Sequence, residues 1–138
     1  MLAARLKLRG SDAWGSGAYG AARGHRKHRG VDYAAEEGAY ILSPCVGIVT
    51  KLGTVYKKDP HWRYVEVTDL TGLKHRIFYV TPLVHLSQAV TVLDSIGIAQ
   101  NISLKYLQQD PSVFPMVNHV HYEILDGGTT INPETHHV

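Results

Sequence analysis

The residues of this chain able to do chemistry are a few histidines and one aspartate. His119-Val120-His121 lies among Val117, Tyr122, Ile124 and Leu125, apolar and aromatic neighbours that suit a β-strand. Residues two apart on a strand point to the same face, so both imidazoles project to one side with Cα atoms roughly 6–7 Å apart. Such a pair is two metal ligands, one ligand beside one proton carrier, or two incidental members of a polar face. Far upstream, His25, His28 and Asp32 place three potential ligands in one short stretch. On a straight strand the Cα atoms of His28 and Asp32 would lie ~13 Å apart, too far to share a metal bound at ~2 Å. Gly30 followed by β-branched Val31 disfavours a helix, and Gly30 lets the backbone bend so that the two side chains converge. The competing reading is a basic surface loop in which Asp32 caps a turn.

The elements that must position these residues read as β throughout. Ala39–Leu42 is a short strand and Ser43-Pro44 a break, followed by a strand from Cys45 to Leu52. Residues 53–62 read as a loop. Tyr64–Asp69 alternates with period two, Thr71-Gly72 is a turn, and Lys74–Val80 returns as the second strand of a hairpin. Val90–Leu93 and Ile96–Gln100 are short strands, and His85 reads as a surface or structural histidine in the strand that follows Pro82. Residues 103–117 form a second long loop, broken by a turn near Leu104–Gln108. The tail from Ile131 is irregular and packs across the domain. No internal repeat or low-complexity block is present.

At 138 residues and 44% hydrophobic content the chain supports one domain with a real core. No apolar run approaches the ~20 residues of a membrane span. The first residues are too broken by charge for a signal peptide, so the expectation is synthesis in the cytoplasm and delivery to a cell envelope as part of an assembly. One cysteine, Cys45, excludes an internal disulfide framework. Residues 1–30 hold seven of the fourteen Lys and Arg but only one acid, Asp12. The division is a basic arm over residues 1–16 and a domain over residues 17–138. The glycine-rich stretch 13–24 carries Trp14 and Tyr19, which with the arm are candidate docking elements. Nucleic acid is not the expected partner, because the arm has no reading motif and the rest of the chain is acidic.

Together these residues resemble the lysostaphin/LytM-type zinc metalloendopeptidases, which hydrolyse peptidoglycan. That family carries His-x-x-x-Asp before a strand and His-x-His late in an antiparallel β-domain, here His28–Asp32 and His119–His121. The Gly38–Ile41 and Ser43–Val49 framing, the Val90–Gly97 segment and the Asn132-Pro133 ending are similar too. The resemblance implies Zn2+ held by His28, Asp32 and His121, with the fourth position open to water, and His119 as general base or as stabiliser of the developing charge. It also marks a departure. Active members carry Tyr-x-His on a central strand, and Thr81 stands in the histidine's place after Tyr79. The Tyr-x-x-Pro form is similar to that of leukocyte-derived chemotaxin, a zinc-binding member of the fold without peptidase activity. By strand parity His75 shares a face with Tyr79 and Thr81 and is the candidate substitute, and all three are candidates to support the ligands or bind substrate beside the site.

The expected architecture is all-β, a mainly antiparallel, partly open barrel-like sandwich with a cleft walled by the two long loops. The expected activity is zinc-dependent cleavage of peptidoglycan cross-links, carried by a phage tail or baseplate that the basic arm contacts. The alternative is a catalytically degenerate, zinc-stabilised binding domain of such an assembly.

Overall fold

A computed structural model of the chain describes residues 6–12, 15–23, 26–109 and 116–135. Trp14, His25 and the final residues 136–138 lie outside them, as do the expectations placed there. The early strands are β1 (Lys7–Leu8), β2 (Ser11–Asp12), β3 (Gly15–Ser16), β4 (Ala22–Arg23), β5 (Arg26–Lys27) and β6 (Val31–Ala34). Next come β7 (Tyr40–Leu42), β8 (Gly47–Tyr56), β9 (Asp59–Asp69) and β10 (Lys74–Phe78). The last are β11 (Val80–Pro82), β12 (Ala89–Val90), β13 (Ser95–Ala99), helix α1 (Ile102–Gln109), β14 (His119–Asp126) and β15 (Thr129–Ile131).

The main sheet runs β1-β6-β14-β10-β9-β8-β12, with β15 added to β14, and a small sheet runs β11-β13-β7. All of these pairings are antiparallel. The expected all-β, partly open barrel-like architecture is therefore the observed one. Alternation drives it: Val65, Val67, Ile77, Val120, Tyr122 and Ile124 point one way and are almost fully buried. They meet Ile41, Val80 and Ile96 of the small sheet in one core. Burying side chains of this size contributes about 1.5–3 kcal/mol each. Among the described residues no helix is long and apolar enough to cross a membrane.

The opposite face of the main sheet holds the polar rows. Register places Glu123, Arg76, Glu66 and Lys51 side by side across β14, β10, β9 and β8, with charges alternating in sign. Arg76 Nε donates to Glu66 Oε2 at 2.7 Å, and the Thr50 hydroxyl donates to Glu66 Oε1 at 2.8 Å. The neighbouring row reads Asp32, His121, Phe78, Tyr64 and Gly53. Gly53 makes room there, since a Cβ would lie 2.3 Å from the Tyr64 ring.

Four expectations are corrected. Residues 53–62 are the arms of a β-hairpin, paired as far as Tyr56 opposite Asp59. Pro60 is tolerated because β9 pairs with β10 only over residues 64–68, so its missing N–H falls beyond that partner. The second loop opens as helix α1, in which Ile102 is fully buried. Lys74–Val80 is not one strand. It breaks at Tyr79, whose φ of 72° carries the chain from the main sheet to the small one. His85 sits in an exposed turn rather than a strand, its backbone N–H bonded to Gln88 Oε1.

Candidate metal centre

Strands β6 and β14 pair so that His121 lies opposite Asp32. His28 precedes β6 and is held by backbone bonds to the 18–21 turn, from His28 N–H to Ala21 C=O and from Gly20 N–H to His28 C=O. The outcome is a triangle of His28 Nε2, Asp32 Oδ1 and His121 Nδ1, with edges of 2.7, 2.9 and 3.1 Å. All three residues are buried.

The surroundings assign the protons. His28 Nδ1 faces Ala18 C=O at 3.0 Å, an acceptor only, so its N–H points outward. His121 Nε2 faces Glu123 Oε1 at 2.9 Å and donates to it likewise. Burial alone would raise the Glu123 carboxyl, but His121 holds it below its ordinary value and keeps it an acceptor. Left unprotonated, both inward nitrogens present lone pairs to one another and to the carboxylate. Three converging lone pairs need a cation between them. Two imidazole nitrogens and one carboxylate oxygen are a donor set that zinc accepts, and a partner on the far nitrogen of each histidine is what fixes such ligands. Without a metal, a proton must serve. The His121 imidazole is pulled down by burial yet raised overall by its bonds to Asp32 and Glu123. Asp32, also buried, is held far below the ordinary carboxylate range by His121 and His28.

His119, two residues earlier on the same face, donates from Nδ1 to Val117 C=O at 2.8 Å. Its Nε2 lies 3.5 Å from Asp32 Oδ2. Burial outweighs the attraction of Asp32 and lowers its pKa, so the ring is neutral near pH 7 with a lone pair toward the site. These groups floor a cleft of about 380 Å3. An aromatic and apolar wall is formed by Val55 and Tyr56 from the β8–β9 hairpin, Phe78, Tyr79, Tyr106 from α1, and Met116, and Arg9, Arg29 and Glu123 add charged groups to the lining.

Of the candidate residues, the structure brings His28, Asp32, His119, His121 and Tyr79 together. The Tyr79 ring stands edge-on to His119 with centroids 5.7 Å apart, and its hydroxyl meets that of Tyr56 at 3.1 Å. Burial, then Tyr56 and Tyr106, push this phenol well above its ordinary pKa. Thr81 and His75 are elsewhere. Thr81 is exposed on β11, paired with Ile98. His75 is fully buried on the core face, its ring between the Tyr122 hydroxyl at 2.7 Å and Asp69 Oδ2 at 2.8 Å. Parity counted through Tyr79 misplaced both, because the left-handed residue there resets the alternation.

Asp69 would be raised by burial, but Thr71 and His75 bring it down to about 2, so it only accepts. His75 Nε2–H therefore donates to Asp69, and the Tyr122 hydroxyl donates to His75 Nδ1. His75→Ala is expected to strand two buried polar groups and cost about 3 kcal/mol in chemical denaturation. Zinc affinity should stay within about twofold, since the chain Tyr122–His75–Asp69 does not touch the triangle. Unchanged stability would contradict this assignment.

Two site residues escaped the sequence reading. Glu123 was within reach, continuing the same-face alternation of His119 and His121. Arg9 was not; it lines the cleft and donates from Nη1 to Asp32 Oδ2 at 3.0 Å, a contact across 23 positions with no local signal.

No protein-family model matches the sequence, and no curated protein matches it. Solved structures do match. A mutant form of the catalytic domain of the prophage-encoded M23 protein EnpA from Enterococcus faecalis is 21% identical over 88% of each chain, with a TM-score of 0.66. The catalytic domain of the antimicrobial peptidase lysostaphin from Staphylococcus simulans is 14% identical over 85% of this chain and 86% of its own, TM-score 0.62. A chain of the SpoIIQ–SpoIIIAH pore-forming complex is 25% identical over 78% of this chain, TM-score 0.58. The present chain spans 63% of that protein and 46% of whole lysostaphin. Its curled antiparallel sheet, small second sheet and buried His-Asp-His cluster are thus set in the fold of the M23 lysostaphin-type peptidase domains.

Proposed function

We propose that this chain is a zinc-dependent endopeptidase domain acting on the peptide cross-links of bacterial cell wall. The observation that carries the reading is the triangle of lone-pair donors with His119 Nε2 turned toward it. His28, Asp32 and His121 would hold the zinc, which supplies a Lewis acid and a bound water acidified toward neutral pH. His119 is placed to take a proton on Nε2 while Val117 C=O keeps its Nδ1–H fixed. Glu123 and Ala18 C=O hold the two ligand rings in their tautomers. Tyr79, protonated at working pH, closes the cleft beside His119 and is a hydrogen-bond donor within the aromatic wall.

The prophage origin of EnpA supports delivery to the cell envelope within a phage tail or baseplate, contacted through the basic arm. A second reading, a zinc-stabilised binding domain of such an assembly, draws on Tyr79 at the cleft and on the match to a pore-forming complex. The test is release of amino groups from purified peptidoglycan by zinc-loaded protein, with His28→Ala as blank. Release above the blank supports the peptidase, and the released fragments identify the bond. One bound zinc per chain without release supports the binding domain.

A further inference from the structure

Arg9 belongs to the N-terminal segment that the sequence marks as a basic arm, yet its side chain is among the most buried charges in the molecule. The residue is 7% exposed and its side chain 2%. Its backbone N–H donates to Asp32 C=O at 2.8 Å, and its guanidinium Nη1 donates to Asp32 Oδ2 at 3.0 Å. The chain around it is shaped for this contact. Asp32 N–H donates to Gly17 C=O at 2.8 Å, and Gly17 N–H to Gly10 C=O at 2.7 Å. A Cβ on Gly17 would lie 2.9 Å from Asp32 Cβ and 3.0 Å from Arg9 Cβ, so only glycine leaves both side chains their space.

The two carboxylate oxygens of Asp32 therefore have different partners. Oδ1 completes the triangle with His28 and His121. Oδ2 is taken by Arg9 on one side and lies 3.5 Å from His119 Nε2 on the other. A carboxylate free at both oxygens can grip a metal through both, raising the coordination number to five and crowding the position that water needs.

We infer that Arg9 is a positioning residue that makes Asp32 a one-oxygen ligand and so keeps the fourth coordination position open. This rests on the triangle being a metal site. The guanidinium suits the role better than an ammonium, since its planar fork fixes one oxygen in direction as well as in charge.

The test uses the whole chain loaded with Co2+, whose visible absorption is strong when four-coordinate and weaker when five-coordinate. Wild type is expected to bind one equivalent with the strong spectrum. Arg9→Gln is expected to bind one equivalent with absorption reduced about twofold or more, as Oδ2 joins the metal. With zinc, kcat should fall about 10–100-fold with KM little changed. Arg9→Lys keeps the charge and loses the fork, and should move both readouts in the same direction by less. It also serves should Arg9→Gln not fold. A wild-type cobalt spectrum in whichever variant folds overturns the inference and leaves the metal site standing. Failure of wild type to bind Co2+ or Zn2+ overturns both.

Discussion

Asp32→Asn is expected to remove the zinc-induced stabilisation proposed for this domain and to bring the proposed peptidoglycan hydrolysis down to that of metal-free protein. Zinc held by four ligands contributes about 10–16 kcal/mol in small structural sites, so one ligand accounts for roughly 3 kcal/mol, on the order of a hundredfold in affinity or more. Zinc at a hundredfold excess over its Kd stabilises the native state by about 2.7 kcal/mol. In a domain this size that is a rise in Tm of roughly 10 °C, and the substitution should erase most of it. The quantity to measure is the shift between chelated and zinc-loaded protein. Asparagine also breaks the pair with Arg9 and the bonds to His121, so the metal-free Tm moves for its own reasons. A zinc shift of wild-type size in Asp32→Asn would remove Asp32 from the ligand set.

The pH dependence of the same measurement follows from two opposed shifts. Asp32 is depressed in the folded chain, so its contribution is complete above the ordinary carboxylate range and is lost as pH falls through the lowered value. His121 is raised above its ordinary 6.5, so in metal-free protein its contribution is complete below that value and is lost as pH rises through the folded one. Zinc and the His121 proton compete for one lone pair. The zinc-induced shift in Tm should therefore grow as pH rises through the raised His121 pKa. A shift that is flat across that window would mean that His121 Nδ1 is not a ligand.

What could be read in the sequence, and what could not, follows from how far each contact reaches along the chain. His119 and His121 declared themselves because period-two alternation is local, and the same alternation places Glu123 beside them. His28 and Asp32 were legible as a short motif, although their meeting with His121 depends on the pairing of β6 with β14. The assignments of His75 and Thr81 failed at a single residue. Strand parity holds only while φ stays extended, and Tyr79 at 72° turns its own ring into the cleft, away from the core face that the register of β10 gives His75, and leads Thr81 onto the small sheet. No pattern of apolar and polar residues announces a left-handed tyrosine, because its cost is met by the two sheets it joins. Arg9 failed for a different reason. Charge clustering describes a segment, whereas the fate of one guanidinium is decided by the strand it pairs beside and the glycine that makes room for it.

Gly30→Ala is expected to be the most damaging single-methyl substitution at the site. The bend between His28 and Asp32 suggested that Gly30 serves through conformational freedom, but it does not occupy the left-handed region. Its role is steric. A Cβ there would lie 2.1 Å from the Tyr122 carbonyl oxygen, 2.9 Å from the Tyr122 carbonyl carbon and 3.0 Å from His121 Cε1. The obstacles are backbone and the bonded His121 ring, neither of which can swing aside, so β6 and β14 must part by about 1 Å to reach ordinary contact. Overpacking of this kind costs about 3 kcal/mol or more. The parting falls beside the register pairs Val31–Tyr122 and Asp32–His121, so it opens the triangle directly. A displacement of that size at a reacting centre is worth about a hundredfold in rate. Gly72→Ala separates the two roles of glycine. Gly72 has φ of 92° with nothing within 4 Å of a Cβ, so alanine there should cost only about 1 kcal/mol of backbone strain and leave zinc binding intact. Denaturation midpoints and zinc titrations of the two variants should therefore diverge. If Gly30→Ala matched Gly72→Ala in both, close approach of β6 to β14 would not be what holds His28 and Asp32 against His121.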